Sequence, residues 1–79
     1  MNTYETEFFA TCPVNQIRIS YKLKIKTTKF IKVEEIITSI ESISSGFHEE
    51  IADKLFAVFE GAQTLVANHH GVKITTIRP

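Results

Sequence analysis

Gln16-Ile17-Arg18-Ile19-Ser20-Tyr21-Lys22-Leu23-Lys24-Ile25-Lys26-Thr27 sets Ile17, Ile19, Tyr21, Leu23 and Ile25 at every second position, with Arg18, Ser20, Lys22, Lys24 and Lys26 between them. Successive side chains of a strand point to opposite faces, so this alternation specifies a long strand with one apolar and one basic face. Burial on one face only is the habit of antiparallel sheets. The basic row is then either solvated or the lining of a polar channel inside an assembly.

Working outward, Thr11-Cys12-Pro13-Val14-Asn15 precedes this strand and reverses the chain, because Pro13 cannot donate to a ladder and Asn15 tolerates turn geometry. Before it, Thr3 to Ala10 sets Tyr4, Phe8 and Ala10 against Glu5 and Glu7, with Phe9 breaking the period, which predicts a first strand. After the polar turn Thr27-Thr28-Lys29, the residues Val33, Ile36, Ile37, Ile40 and Ile43 recur at three and four. That spacing predicts an amphipathic helix of about twelve residues, with Glu34 and Glu35 in its first turn and Gly46 as its left-handed cap. A second helix is expected from about Phe47 to Phe59, with Phe47, Ile51, Leu55 and Val58 or Phe59 as its buried stripe and Gly61 closing it. Glu49 and Asp53 lie four apart on a neighbouring face. Gln63 to Asn68 and Val72 to Arg78 read as two further strands joined around His69-His70-Gly71. The order strand, strand, helix, helix, strand, strand predicts an α+β domain over residues 1–79, a four-stranded antiparallel sheet with two helices covering one face.

A chain of 79 residues buries only roughly 60% of its unfolded surface, so self-association is expected. Formal net charge is zero, which gives no electrostatic case for nucleic acid or an anionic membrane. One cysteine excludes an internal disulfide and a multi-cysteine zinc cage. A reducing compartment and the cytoplasm are the expectation, since Met1-Asn2-Thr3-Tyr4-Glu5 lacks the features of a signal peptide.

The residues able to carry chemistry are few. Cys12 stands at a strand end, where a thiolate would be nucleophilic and an undisturbed thiol would be a small apolar residue. Ser45-Gly46-Phe47-His48-Glu49-Glu50 opens a helix with a histidine and two carboxylates in its first turn, where acidic groups also serve as simple dipole partners. His69 and His70 are adjacent on extended backbone and point apart, so they do not share a metal. No ligand spacing unites Cys12, His48 and either of these histidines, and no metal site is predicted. Phosphate-loop and zinc-protease motifs are absent.

Phe8-Phe9-Ala10-Thr11-Cys12-Pro13-Val14 before a basic alternating strand, together with Gly46-Phe47-His48-Glu49 at the second helix, resembles the tunnelling-fold (T-fold) enzymes of pterin and deazapurine metabolism. Within them it looks like QueF, the nitrile reductase of queuosine biosynthesis, a tRNA-modification pathway, and its shorter QueF-like relatives. That resemblance implies Cys12 as the nucleophile that forms a thioimide with the nitrile of 7-cyano-7-deazaguanine. It implies Glu49 as the carboxylate that grips the guanine-like edge, and His48 as a substrate-contacting or proton-handling neighbour. It also implies a homo-oligomer with sites at subunit interfaces. A carboxylate accepting two parallel N–H donors is a strong, directional grip, and a thiolate suits attack on a neutral nitrile carbon.

Two parts of the reductase pattern are missing. The proton-donating aspartate that follows the cysteine motif has no counterpart in Asn15-Gln16-Ile17, and Asp53 is the chain's sole aspartate. The lysine-rich NADPH motif is not reproduced by Lys26-Thr27-Thr28-Lys29-Phe30-Ile31-Lys32, although NADPH remains the cofactor that an oxidoreductase of this kind would use. The related archaeosine amidinotransferases use the same thioimide with ammonia and need no NADPH. Dihydroneopterin aldolase, another tunnelling-fold enzyme, has a lysine before proline at a strand end; here Arg78-Pro79 stands there, and arginine cannot shuttle protons at neutral pH. A contrasting expectation is a non-catalytic T-fold protein that keeps the base grip or only the oligomeric architecture.

Overall fold

The computed structural model describes residues 1–79, arranged as β1 (Asn2–Thr11), β2 (Arg18–Thr27), α1 (Val33–Glu41), α2 (His48–Val58), β3 (Ala62–His69) and β4 (Val72–Arg78). The strands form one sheet in the order β1-β2-β3-β4 with every neighbouring pair antiparallel. This is the α+β arrangement the alternation and helical spacing imply. Ile19, Tyr21, Leu23 and Ile25 of β2 turn to the buried face and meet Ile36 and Ile40 of α1 and Ile51, Ala52 and Leu55 of α2 in one core. No helix is long and apolar enough to cross a membrane.

The basic row lies on the open face. Glu5 stands opposite Lys24 and Glu7 opposite Lys22, and the exposed pairs approach to 3.8 and 3.7 Å. Phe9, the residue that breaks the first strand's alternation, points to this same face, where the Arg18 guanidinium lies 4.2 Å from its ring centre. Stacking of a cation on the ring accounts for an aromatic group at a polar position.

β1 and β3 each extend one residue further at both ends than the sequence reading, and three larger differences concern β2, α1 and α2. β2 begins at Arg18 rather than Gln16, because Gln16 adopts φ 64° and its N–H donates to the Cys12 carbonyl at 2.9 Å, so the turn consumes it. Asn15 contributes through its side chain, accepting the Ile17 N–H at 3.1 Å. α1 has nine residues and ends at Ser42 in right-handed geometry, so Gly46 is not its cap. Ile43 lies past the helix and stays buried, its N–H on the Ile40 carbonyl at 3.2 Å. The third change concerns α2, where Phe47 is the extended residue before the helix and is 48% exposed. His48 takes its place, so the buried stripe is His48, Ile51, Ala52 and Leu55, with Phe59 rather than Val58 completing it.

Gln63 of β3 locks the far end of α2. Its buried amide donates to the carbonyls of Leu55 at 3.0 Å and Phe59 at 2.8 Å; the first also accepts the Phe59 N–H, and the second has no backbone donor of its own. The β3–β4 hairpin turns on His70 and Gly71, both at positive φ, and the Asn68 side chain accepts the Gly71 N–H at 2.9 Å. Two consecutive left-handed residues are what a tight hairpin with the right strand twist needs.

Candidate functional site

The segment before α2 is stitched to the end of β1. Thr11 N–H donates to the Ser44 carbonyl at 2.9 Å, and Gly46 N–H donates to the Thr11 carbonyl at 3.3 Å. Gly46 carries φ 153°, and a Cβ there would lie 3.2 Å from Ile51, so a side chain would press on the first buried turn of α2. The next backbone bond of the chain holds the Cys12 N–H on the Ile17 carbonyl at 2.8 Å. Cys12 and the opening of α2 are thus fixed side by side at one end of the fold.

Cys12 is 6% exposed and belongs to the core. Beneath it runs a column of rings: Phe8 stacks on Tyr21 at 5.2 Å between centres, Tyr21 meets His48 at 5.7 Å, and His69 stands edge-on to both at 6.4 Å. The polar atoms of this column are buried and unpaired: Tyr21 Oη, both ring nitrogens of His48, and Nε2 of His69. Buried polar groups almost always find partners, so four such atoms on three touching side chains make this column a candidate site for chemistry. Burial, and then the nearby Cys12 thiol, push the Tyr21 phenol up and keep it neutral. Burial is also the largest influence on His48 and pulls it below its usual range; Glu49 opposes, and His69 and Arg78 add to the lowering. His48 is therefore a neutral imidazole at physiological pH, able to accept or relay a proton.

Glu49, one residue on, points elsewhere. Its Oε2 accepts from Arg78 Nη2 at 2.8 Å, and the same nitrogen donates to Asp53 Oδ1 at 2.9 Å, with Arg78 Nε on that oxygen at 3.3 Å. The hydrogen bonds to Glu49 and then Asp53 raise the guanidinium above its already high range. The short run Gly46 to Glu49 consequently crosses the sheet, from Thr11 on β1 to Arg78 on β4. No hydrogen bond joins Cys12 to His48 or Glu49.

The positions singled out in sequence for chemistry thus divide between different surroundings. Cys12 and His48 border the Tyr21 column, His69 joins them from β3, and Glu49 belongs to a charged triad at the β4 side. His70 turns outward to Asn15, as opposed faces require. Sequence reasoning passed over Tyr21, read only as an apolar-face residue, and the partnership of Arg78 with Glu49. A phenol among aliphatic residues and an unpaired Glu49/Asp53 face were the signals available. No group of three or more histidine, cysteine or carboxylate side chains could hold a metal ion. In the stretch compared with the NADPH motif, Thr27 Oγ1 accepts the Lys29 N–H at 3.1 Å and the Lys29 ammonium pairs with Glu60. Thr27 Oγ1 and the Lys29 ammonium are thus engaged within the chain.

No protein-family model matches the chain, and no curated protein matches its sequence. Among solved structures it is similar to one described as the crystal structure of the archaeosine synthase QueF-Like in the apo form. The TM-score is 0.76 at 17% identity, covering 98% of this chain and 89% of that one. The β-β-α-α-β-β fold is shared with that synthase.

Proposed function

We propose that the chain is the subunit of a QueF-like enzyme that binds 7-cyano-7-deazaguanine or a related deazapurine, with Glu49 gripping the base and Cys12 attacking the nitrile. The single observation that carries this reading is the stitching of the Cys12 turn to the start of α2 beside three buried, unpaired polar side chains. In the step proposed, the Cys12 sulfur bonds the nitrile carbon, one π bond of the nitrile breaks, and the thiol proton ends on the nitrile nitrogen as a thioimide N–H. His48, held neutral, and the Tyr21 hydroxyl are the groups available to carry that proton where the reductases use an aspartate. Ammonia then displaces the Cys12 thiol and leaves an amidine. This completion suits the chain better than reduction, because it needs no NADPH; the likeness to an archaeosine synthase supports the same choice.

The positions of Cys12 and Glu49 also favour an assembly. Cys12 follows β1 and Glu49 is held against β4, the two outer strands of the sheet, whose edges carry no strand partner. Pairing β4 of one copy with β1 of the next would bring Glu49 and Cys12 of neighbouring copies to one substrate, a homo-oligomer with interface sites. A second reading, a base-binding or structural oligomer without catalysis, is favoured by the near-complete burial of Cys12.

Intact-mass measurement after incubation with 7-cyano-7-deazaguanine separates these readings. An adduct of one ligand mass on the native chain and none on Cys12→Ala is the expected result. Cys12→Ala should keep base binding and Glu49→Ala should lose it; binding without an adduct would leave the non-catalytic reading. Undiminished binding by Glu49→Ala would remove the assigned grip. A monomer at micromolar concentration in light scattering would remove the interface site.

A further inference from the structure

We infer that Arg78 is a specificity and positioning residue of the Glu49 site, forming with Glu49 an acceptor–donor edge that reads a base with a ring carbonyl beside its N–H donors. The inference rests on the base-binding reading above. Arg78 and Asp53 supply what that reading leaves open: why Glu49 is free to bind a base at all while touching a cation, and which edge it prefers.

An arginine meeting a lone carboxylate favours a fork in which two parallel N–H groups occupy both oxygens. Such a fork on Glu49 would close the grip. Asp53, one helical turn along α2, prevents it by drawing Arg78 Nε and Nη2 onto its own Oδ1 at 3.3 and 2.9 Å. Only one bond remains for Glu49, from Nη2 to Oε2 at 2.8 Å. Guanidinium has five N–H donors, and those on Nη1 make no bond within the protein. Glu49 Oε1 is likewise unengaged, and Oε2 keeps a second lone pair. The triad therefore offers carboxylate acceptors next to guanidinium donors. That sequence complements a 2-amino-oxo edge, whose amine and ring N–H face Glu49 and whose carbonyl faces Arg78. A 6-amino base would set donors against donors and be rejected.

Calorimetric titration with 7-deazaguanine and its 6-thio analogue tests this, because both ligands keep the same N–H donors and differ in the acceptor that would face Arg78. The native protein should prefer the oxo base by about tenfold, the size expected for a hydrogen bond from a charged donor. Arg78→Met should bring the oxo base down to the affinity of the thio analogue and change the latter little. Arg78→Lys, which keeps the cation, should restore part of the preference. Asp53→Asn should weaken both ligands together and keep the preference, since it only lets Arg78 close on Glu49. If Arg78→Met keeps the full preference, or lowers both affinities equally, Arg78 is a structural tie between α2 and β4 and the inference fails alone. If the native protein binds neither base, the base-binding reading falls and takes the inference with it.

Discussion

Replacing Gln63 by methionine removes one hydrogen-bonding group while nearly preserving shape, and its consequence can be worked from the atoms. Gln63 is 4% exposed and donates to two carbonyls. The Leu55 carbonyl keeps a second donor, the Phe59 N–H at 3.1 Å, so its loss is one net hydrogen bond of about 1 kcal/mol. The Phe59 carbonyl has no other donor and is left buried and unpaired, which costs about 1–3 kcal/mol. Gln63→Met should therefore destabilise the fold by roughly 2–4 kcal/mol, a large share of the roughly 4–12 kcal/mol that a chain of this size commands. Urea denaturation followed by far-ultraviolet circular dichroism measures it, with the midpoint falling and the slope unchanged. Gln63→Glu should be worse at neutral pH, because a carboxylate faces two carbonyls, and should recover on acidification as the acid regains one donor. A loss below about 0.5 kcal/mol for the methionine variant would show that the amide does not hold the end of α2 and that the capping argument is wrong. Base affinity should be unchanged in folded Gln63→Met, since the opening of α2 is fixed separately by Thr11.

Two further outcomes are expected. Because burial lowers the His48 pKa, the unfolded chain takes up a proton that the folded one refuses as pH falls through about 6.5; stability from this group is complete above that pH and declines below it, and His48→Phe should flatten the decline in melts between pH 8 and 5. Gly61→Ala would drive a Cβ into the Lys26 carbonyl oxygen at φ 128°, so it should cost roughly 3 kcal/mol by the same denaturation assay; a neutral result would mean that the β2–β3 end yields easily.

The strands were legible because a period of two admits no other reading in Ile19, Tyr21, Leu23 and Ile25, and each of those residues is buried. Helix phase was less so. Ile51 and Leu55 fix the stripe of α2, but Phe47 and His48 compete for its first position, and hydrophobicity alone chooses the phenylalanine. The structure chooses the histidine, because Gly46 must bond Thr11 and Phe47 is then extended, its N–H on Glu50 Oε1 at 3.2 Å. Long-range backbone pairing, which hydrophobicity does not register, thus goes with the choice of ring that enters the core. Gln16 was missed for a related reason: its left-handed conformation follows from closing the Cys12 turn, not from any preference of glutamine.

For the site, sequence displayed the residue types and concealed their ownership. Glu49 and Asp53 share a helix face by spacing, which is a local property, yet the cation that joins them lies 29 and 25 positions away on β4. Tyr21, His48 and His69 come from β2, α2 and β3, and their convergence depends on the sheet register that sets Tyr21 opposite Ala67. Adjacent in sequence, His48 and Glu49 end in opposite environments: an imidazole buried without a partner and a carboxylate held at the surface by arginine. That division is what a covalent mechanism would need, since a group that moves protons works best neutral and enclosed, whereas one that grips a base must stay ionised and reachable.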